Sequence, residues 1–238
     1  LTAVPAAPPA AVASKPGRDC PLCPRLVAFR QDWRRREPTW FNAPVPSFGP
    51  LSARLLIVGL APGLQGANRT GRPFTGDHAG VLLYDTLPRF GFARGTYRAR
   101  PDDDLELVDA RITNAVRCVP PENKPTGPEI ATCRNFLQAT IAEMPGLRAI
   151  VALGRIAHDS AVTALGVKRA AAPFGHGCAA PIGSITLFSS YHCSRYNTNT
   201  GVLTTDMFHA VFAAVRRYLD APSQATTSSA FLSGGKTG

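Results

Sequence analysis

Four short apolar runs punctuate the chain. Arg54–Leu60 (Arg-Leu-Leu-Ile-Val-Gly-Leu) is nearly continuous, Ala149–Leu153 and Ile185–Tyr191 are similar, and Arg111–Val116 is a weaker fourth. Runs of this length, rich in Val, Ile and Leu and closed by Gly or polar residues, read as buried strands. Helical segments lie between them. Gly80–Phe90 carries Leu82, Leu83 and Leu87; Glu129–Met144 carries Ile130, Phe136, Leu137 and Ile141; Gly154–Leu165 follows the Ala149–Leu153 run. Val202–Leu219 is the clearest helix, with Phe208, Val211, Phe212, Val215, Tyr218 and Leu219 on one stripe and Arg216 and Arg217 in its last turns. Strands alternating with helices predict an α/β fold: three layers, α/β/α, around a central, mainly parallel four-stranded sheet.

In such a fold ligands bind beyond the carboxyl ends of the strands. Polar and glycine-rich motifs fall at those ends. Gly59-Leu-Ala-Pro-Gly63 closes the first strand, Asn114 the second, and Tyr191-His-Cys-Ser-Arg-Tyr-Asn197 the fourth. The segment from Gly59 to Gly80 is a long loop whose glycines let backbone N–H groups approach a ligand. It contains neither a dinucleotide fingerprint nor the Gly-Lys-Ser/Thr of a phosphate-binding loop. Alone, it is a ligand loop after a strand or a connection without a role.

Charge and cysteine usage narrow the picture. The 238 residues carry 26 Lys and Arg against 16 Asp and Glu, a formal net charge of +10, which favours a polyanionic partner such as nucleic acid over an uninvolved basic surface. No run is long and apolar enough to cross a membrane, and cytoplasmic residence and a monomer are expected. Leu1–Gly17 is Ala/Pro-rich and Ala221–Gly238 is Ser/Thr/Gly-rich, so both are expected to be tails around one domain over residues 18–220. Cys20 and Cys23 form Cys-Pro-Leu-Cys-Pro, and Cys118 and Cys133 bracket a Pro-rich segment of 14 residues. Without a secretion signal, this points to thiolate ligation of a metal or cluster rather than to disulfides. Structural zinc and an iron–sulfur cluster both accept four thiolates. Cys178 and Cys193 are read as non-ligands.

Taken in order, Gly-Leu-Ala-Pro-Gly, Asn-Arg-Thr-Gly-Arg-Pro-Phe-Thr-Gly-Asp, Arg-Ile-Thr-Asn-Ala-Val-Arg-Cys and His192-x-Ser194-x-x-Asn197 resemble the uracil-DNA glycosylase superfamily, most closely its family 5 (type b) enzymes. The resemblance covers essentially Cys20–Leu219. It implies a monofunctional base-excision repair enzyme acting on DNA, single- or double-stranded, that contains uracil or related lesions, and leaving an abasic site. It also implies a [4Fe-4S] cluster on Cys20, Cys23, Cys118 and Cys133. No Lys sits in the motifs to form a Schiff base, so strand cleavage is not expected. The rival reading is an iron–sulfur nucleic-acid-binding protein without glycosylase chemistry.

Under the resemblance the residues acquire roles. Gly59, Ala61 and Gly63 border the base pocket. Phe74 stacks on the flipped base, or is simply a core aromatic. Asn114 has an amide donor and acceptor suited to the edge of uracil. His192 donates a hydrogen bond to the departing base, or caps a strand end. Asn197 completes that motif. Asp77 orients water or screens positive charge on the sugar; its competing job is to cap a helix starting near His78. Arg195 and Tyr196 suit phosphate contact and stacking in the minor groove, with Arg69 and Lys124 as further DNA contacts. The chain departs from the superfamily at three places: Ala61 and Leu60 stand where other families carry an acid, and Cys193 replaces the usual Pro.

Overall fold

The computed structural model describes residues 15–222, so the two expected tails lie, but for their innermost residues, outside the described residues. In chain order the elements are α1 (Pro24–Arg36), β1 (Leu55–Gly59), α2 (Ala67–Thr70), α3 (His78–Arg89), β2 (Ala93–Arg94), β3 (Glu106–Leu107), β4 (Ala110–Asn114), α4 (Gly127–Ala142), β5 (Ala149–Leu153), α5 (Arg155–Ala164), β6 (Ala179–Ile182), β7 (Ile185–Ser190), α6 (Arg195–Asn199) and α7 (Thr205–Asp220). The main sheet runs β4-β1-β5-β7-β6. Its first four strands are mutually parallel and correspond to the four apolar runs; β6 joins antiparallel to β7.

Strand periodicity divides the core. Leu55 and Ile57 of β1 and Val151 of β5 face one side, where Leu83 and Leu87 of α3 and Phe208, Phe212 and Val215 of α7 cover them. Leu56, Val58, Ile150 and Ala152 face the other, against Leu137 of α4 and Ala157 and Ala161 of α5. The three layers expected from the sequence are present. The expectation of four strands falls one short. The fifth, Ala179–Ile182, is half-exposed and contains Pro181, both features of an edge strand and neither a strong strand signal.

Helix starts follow local chemistry. Thr126 and Glu129 form a capping box at α4, with the Glu129 carboxylate accepting from the Thr126 N–H at 2.7 Å. The same carboxylate takes a two-pronged contact from Arg25 of α1, at 2.8 and 2.7 Å. This fastens α1 to the start of α4. The short β2–β3 ribbon lies between α3 and β4 and pairs only Ala93 with Leu107 and Arg94 with Glu106.

Candidate active site

Beyond the carboxyl ends of β1, β4 and β7 is a cavity of about 420 Å³, lined among others by Leu60, Ala61, Gly63, Phe74, Asp77, Asn114, His192 and Arg195. A larger groove of about 800 Å³ runs between α4 and α5 past Arg134, Ser160 and Lys168. It holds none of the strand-end motifs, and the smaller cavity is where the chemistry converges.

Gly59 forms the floor. A Cβ there would stand 2.5 Å from Asn114 Oδ1 and 2.5 Å from Phe74 Cζ, so only glycine lets both side chains reach their places. Phe74 is buried with a left-handed backbone, φ 54°. Its ring lies 6.2 Å from the His192 ring at 27°, leaving two nearly parallel aromatic faces on the cavity. Asn114, at the end of β4, is only 3% exposed, and none of the hydrogen bonds among the described residues involves its amide. Its amide atoms are not among the fully buried, unpartnered ones; they open onto the cavity, where both a donor and an acceptor are offered to a ligand's edge.

Asp77 is the N-cap of α3: its Oδ1 accepts from Gly80 N–H at 3.0 Å. Its Oδ2 turns towards the loop glycines, 3.1 Å from where a Gly63 Cβ would be. Capping therefore occupies one oxygen and leaves the other on the cavity side. Burial pushes the Asp77 pKa up, and N–H groups of Gly80 and Ala79 together with the His78 charge oppose the shift. His192 is half-buried. Loss of hydration lowers its pKa to about 4, which makes the imidazole neutral at pH 7, with one N–H to donate.

The rim combines expected and unexpected residues. Arg195 is exposed and lines the cavity, and the adjacent Tyr196 is 73% exposed. Asn197 does not face the cavity; its Nδ2 donates to the His192 carbonyl at 2.8 Å and so fixes the loop that carries the histidine. Arg69 is exposed on α2 and lines a neighbouring groove with Phe41 and Arg100. Lys124 is exposed beside Glu122, 3.2 Å away. Ser194, part of the quoted histidine motif, is the N-cap of α6 and lines the cavity. Four lining residues were given no place there by the sequence: Ala67, Ala79, His78, whose Nε2 meets Thr198 Oγ1 at 3.0 Å, and Asn123. Asn123 has φ 58°, and an Asn in a Pro-rich loop is the residue most able to take that conformation; this was the available signal.

Cys20, Cys23, Cys118 and Cys133 border one small apolar hollow of about 10 Å³ with Leu26, Val116 and Phe136. No disulfide joins any of the six cysteines. Arg30 Nη1 approaches Cys118 Sγ at 3.5 Å, and the Arg117 N–H donates to Cys133 Sγ at 3.2 Å. Among the described residues no group of three or more His, Cys, Asp or Glu is arranged to hold a single metal ion. Ala61 packs on this cluster and also lines the cavity, so the two sites share a wall. Cys178 is exposed and Cys193 is buried against α3, its Sγ 3.4 Å from the Ala79 carbonyl.

The sheet and its carboxyl-edge cavity lie in a stretch, residues 46–216, that matches the family model described as the uracil DNA glycosylase superfamily. The type-5 uracil-DNA glycosylase of Thermus thermophilus is 46% identical over 205 residues, spanning 83% of this chain and 93% of that protein. The type-5 enzyme of Pyrobaculum aerophilum is 40% identical over 192 residues, spanning 79% and 84%. A type-4 uracil-DNA glycosylase of the same organism matches less of the chain, 36% over 150 residues, spanning 63% and 62%. The chain belongs to the type-5 uracil-DNA glycosylase family. No helix among the described residues is long and apolar enough to cross a membrane.

Proposed function

We propose that this protein excises uracil and related deaminated or damaged bases from DNA by hydrolysing the N-glycosidic bond and leaving an abasic site. The observation that carries the reading is the Asn114 amide, open to a cavity it shares with Phe74, Asp77 and His192 at the end of the sheet. A flipped base stacks on Phe74, and its edge exchanges hydrogen bonds with the Asn114 amide. As the bond from C1′ to the base nitrogen breaks, its electron pair leaves with the base. The neutral His192 donates its N–H to the base's carbonyl oxygen, where negative charge collects. Positive charge on the sugar is screened by Asp77, whose Oδ2 also orients the water. The water's oxygen bonds to C1′, one of its protons passes to the Asp77 carboxylate, and that proton then leaves through solvent to neutralise the released base anion. Arg195 and Tyr196 hold the gap left in the duplex, and Arg69 and Lys124 contact phosphates.

Cys20, Cys23, Cys118 and Cys133 are proposed to hold a [4Fe-4S] cluster. The four sulfurs share one hollow, and N–H groups of Arg30 and Arg117 point at two of them. Such a donor set fits a polynuclear anionic group better than one zinc ion. When bound, the cluster would supply a cross-link between the α1 and α4 regions rather than reaction chemistry. Iron and acid-labile sulfide, with absorbance near about 400 nm, test for it; zinc in their place would overturn it.

The test of function is release of free base from single- and double-stranded oligonucleotides carrying uracil, hydroxymethyluracil, ethenocytosine or hypoxanthine. DNA binding without base release would leave a binding protein and refute the glycosylase reading.

A further inference from the structure

We infer that Arg72, Asp103 and Tyr97 form a clamp that positions Phe74 and Asp77, making the β2–β3 region a working part of the active site. The inference rests on the glycosylase reading above and extends it to residues outside the cavity.

The turn from Arg72 to Asp77 sets both the stacking ring and the carboxylate, and its left-handed Phe74 is a conformation that neighbours must impose. Three side chains impose it. The Tyr97 hydroxyl donates to the Phe74 carbonyl at 3.1 Å and accepts from the Gly76 N–H at 3.3 Å, bracketing the turn immediately before Asp77. The Tyr84 hydroxyl donates to the Pro73 carbonyl at 2.6 Å. Arg72 Nε donates to Thr75 Oγ1 at 2.8 Å, so its guanidinium reaches back into the same turn.

The other edge of that guanidinium is held by the segment between β2 and β3. Arg72 Nη1 and Nη2 donate to the two oxygens of Asp103 at 2.6 and 2.8 Å. Asp103 is itself fixed by the N–H groups of Arg98, at 2.9 Å, and Leu105, at 3.3 Å. The pair is buried, with side-chain exposures of 6% and 0%. Phe48, Tyr84 and Tyr97 surround the guanidinium carbon at 5.2, 5.5 and 5.8 Å, and the two tyrosine rings stack at 4.5 Å. Burying an ion pair is a poor way to gain stability, because apolar residues of similar volume do as well or better. What a forked, two-pronged pair provides is direction. Here that direction is transmitted through Thr75 and Tyr97 to the one turn that carries Phe74 and leads to Asp77.

These are positioning residues, since none touches the cavity. Tyr97→Phe removes only the hydroxyl and is the cleanest variant; Asp103→Asn keeps the shape and disrupts the fork. Single-turnover uracil release and affinity for the abasic product duplex are measured separately, well below each variant's melting temperature. For Tyr97→Phe the excision rate is expected to fall about 10-fold, because misplacement of reacting groups is costly. Affinity for the product duplex should stay within about 2-fold. Asp103→Asn should show the same split and a lower melting temperature. Val162→Ala, which opens a hole in the opposite core layer, is the stability-matched control and should keep its rate. An active wild type with a fully active Tyr97→Phe refutes the clamp, as does a loss of rate in Val162→Ala equal to that in Tyr97→Phe. A wild type that releases no base refutes the glycosylase reading first, which is a separate result.

Discussion

A methyl group added at Gly59 tests whether the cavity depends on the close approach of three chain segments. In Gly59→Ala the new Cβ would lie 2.5 Å from both Asn114 Oδ1 and Phe74 Cζ. Ordinary contacts stand at about 3.5–4.0 Å, so the ring and the amide must each retreat by about 1 Å. Neither can retreat freely: Asn114 is at a strand end paired with Gly59 itself, and the Phe74 turn is held by Tyr97 and Tyr84. Overpacking of this kind costs about 1–3 kcal/mol, offset by a few tenths to about 1 kcal/mol because alanine restricts the unfolded chain. Function should suffer more than stability, since a displacement of about 1 Å at reacting groups costs roughly 100-fold in rate. The assay is single-turnover base release at a temperature where circular dichroism shows the variant folded. A second variant, Gly59→Ala with Phe74→Leu, should regain stability without regaining the rate, because space returns but the stacking face does not. Wild-type excision by Gly59→Ala would refute the reasoning.

The folded-state pKa of His192 is about 4, below the free value of about 6.5. The unfolded chain therefore binds a proton between these values that the folded chain does not, so stability should rise with pH across that window and this contribution should be flat on either side of it. Thermal melts of wild type and His192→Gln from pH 4 to 7 should differ in slope, and equal slopes would count against the assignment. Glu129→Ala removes the Glu129 half of the α4 capping box and the Arg25 contact, and should cost about 2 kcal/mol in a urea titration; a loss under about 0.5 kcal/mol would show that α1 is held by other means. If Arg195 contacts a phosphate, Arg195→Ala should reduce the slope of log K against log salt by about 1, whereas Tyr196→Ala should weaken binding by about 1–3 kcal/mol with the slope unchanged.

The parallel strands were legible because both of their faces are covered. Every residue of β1 and β5 is buried, and such strands must be written as continuous apolar runs. β6 has one neighbour and a Pro, and its Ala-Ala-Pro-Ile is silent in the same code. Helix α1 was missed for a related reason: of its 13 residues only Leu26 and Arg30 are buried, so no apolar stripe betrays it. Asn114 and His192 could be found because a parallel sheet delivers its strand ends to one edge, whereas Phe74 and Asp77, in the loop before α3, were reached only through the family resemblance. Asn197 has the right spacing, yet its amide turns to the His192 carbonyl, a choice made by the turn of α6 rather than by residue type. The Arg72–Asp103 pair spans 31 positions, and nothing local to either residue announces the other. For Asp77 the sequence posed capping and catalysis as competitors; two oxygens with different neighbours make them compatible.

Left-handed backbone at Phe74 carries a consequence for engineering. A non-glycine residue in this conformation costs on the order of 1 kcal/mol, which glycine would return. Phe74 and Asn123 both line the cavity with such a backbone, at φ 54° and 58°. A library selected for heat resistance alone should keep Phe74, whose buried ring would cost about 3–5 kcal/mol to lose, but accept Gly early at the exposed Asn123, gaining backbone ease and discarding a cavity-lining amide. Heat tolerance and repair capacity would diverge at this one turn, so a selection that keeps the enzyme useful must score excision in every round.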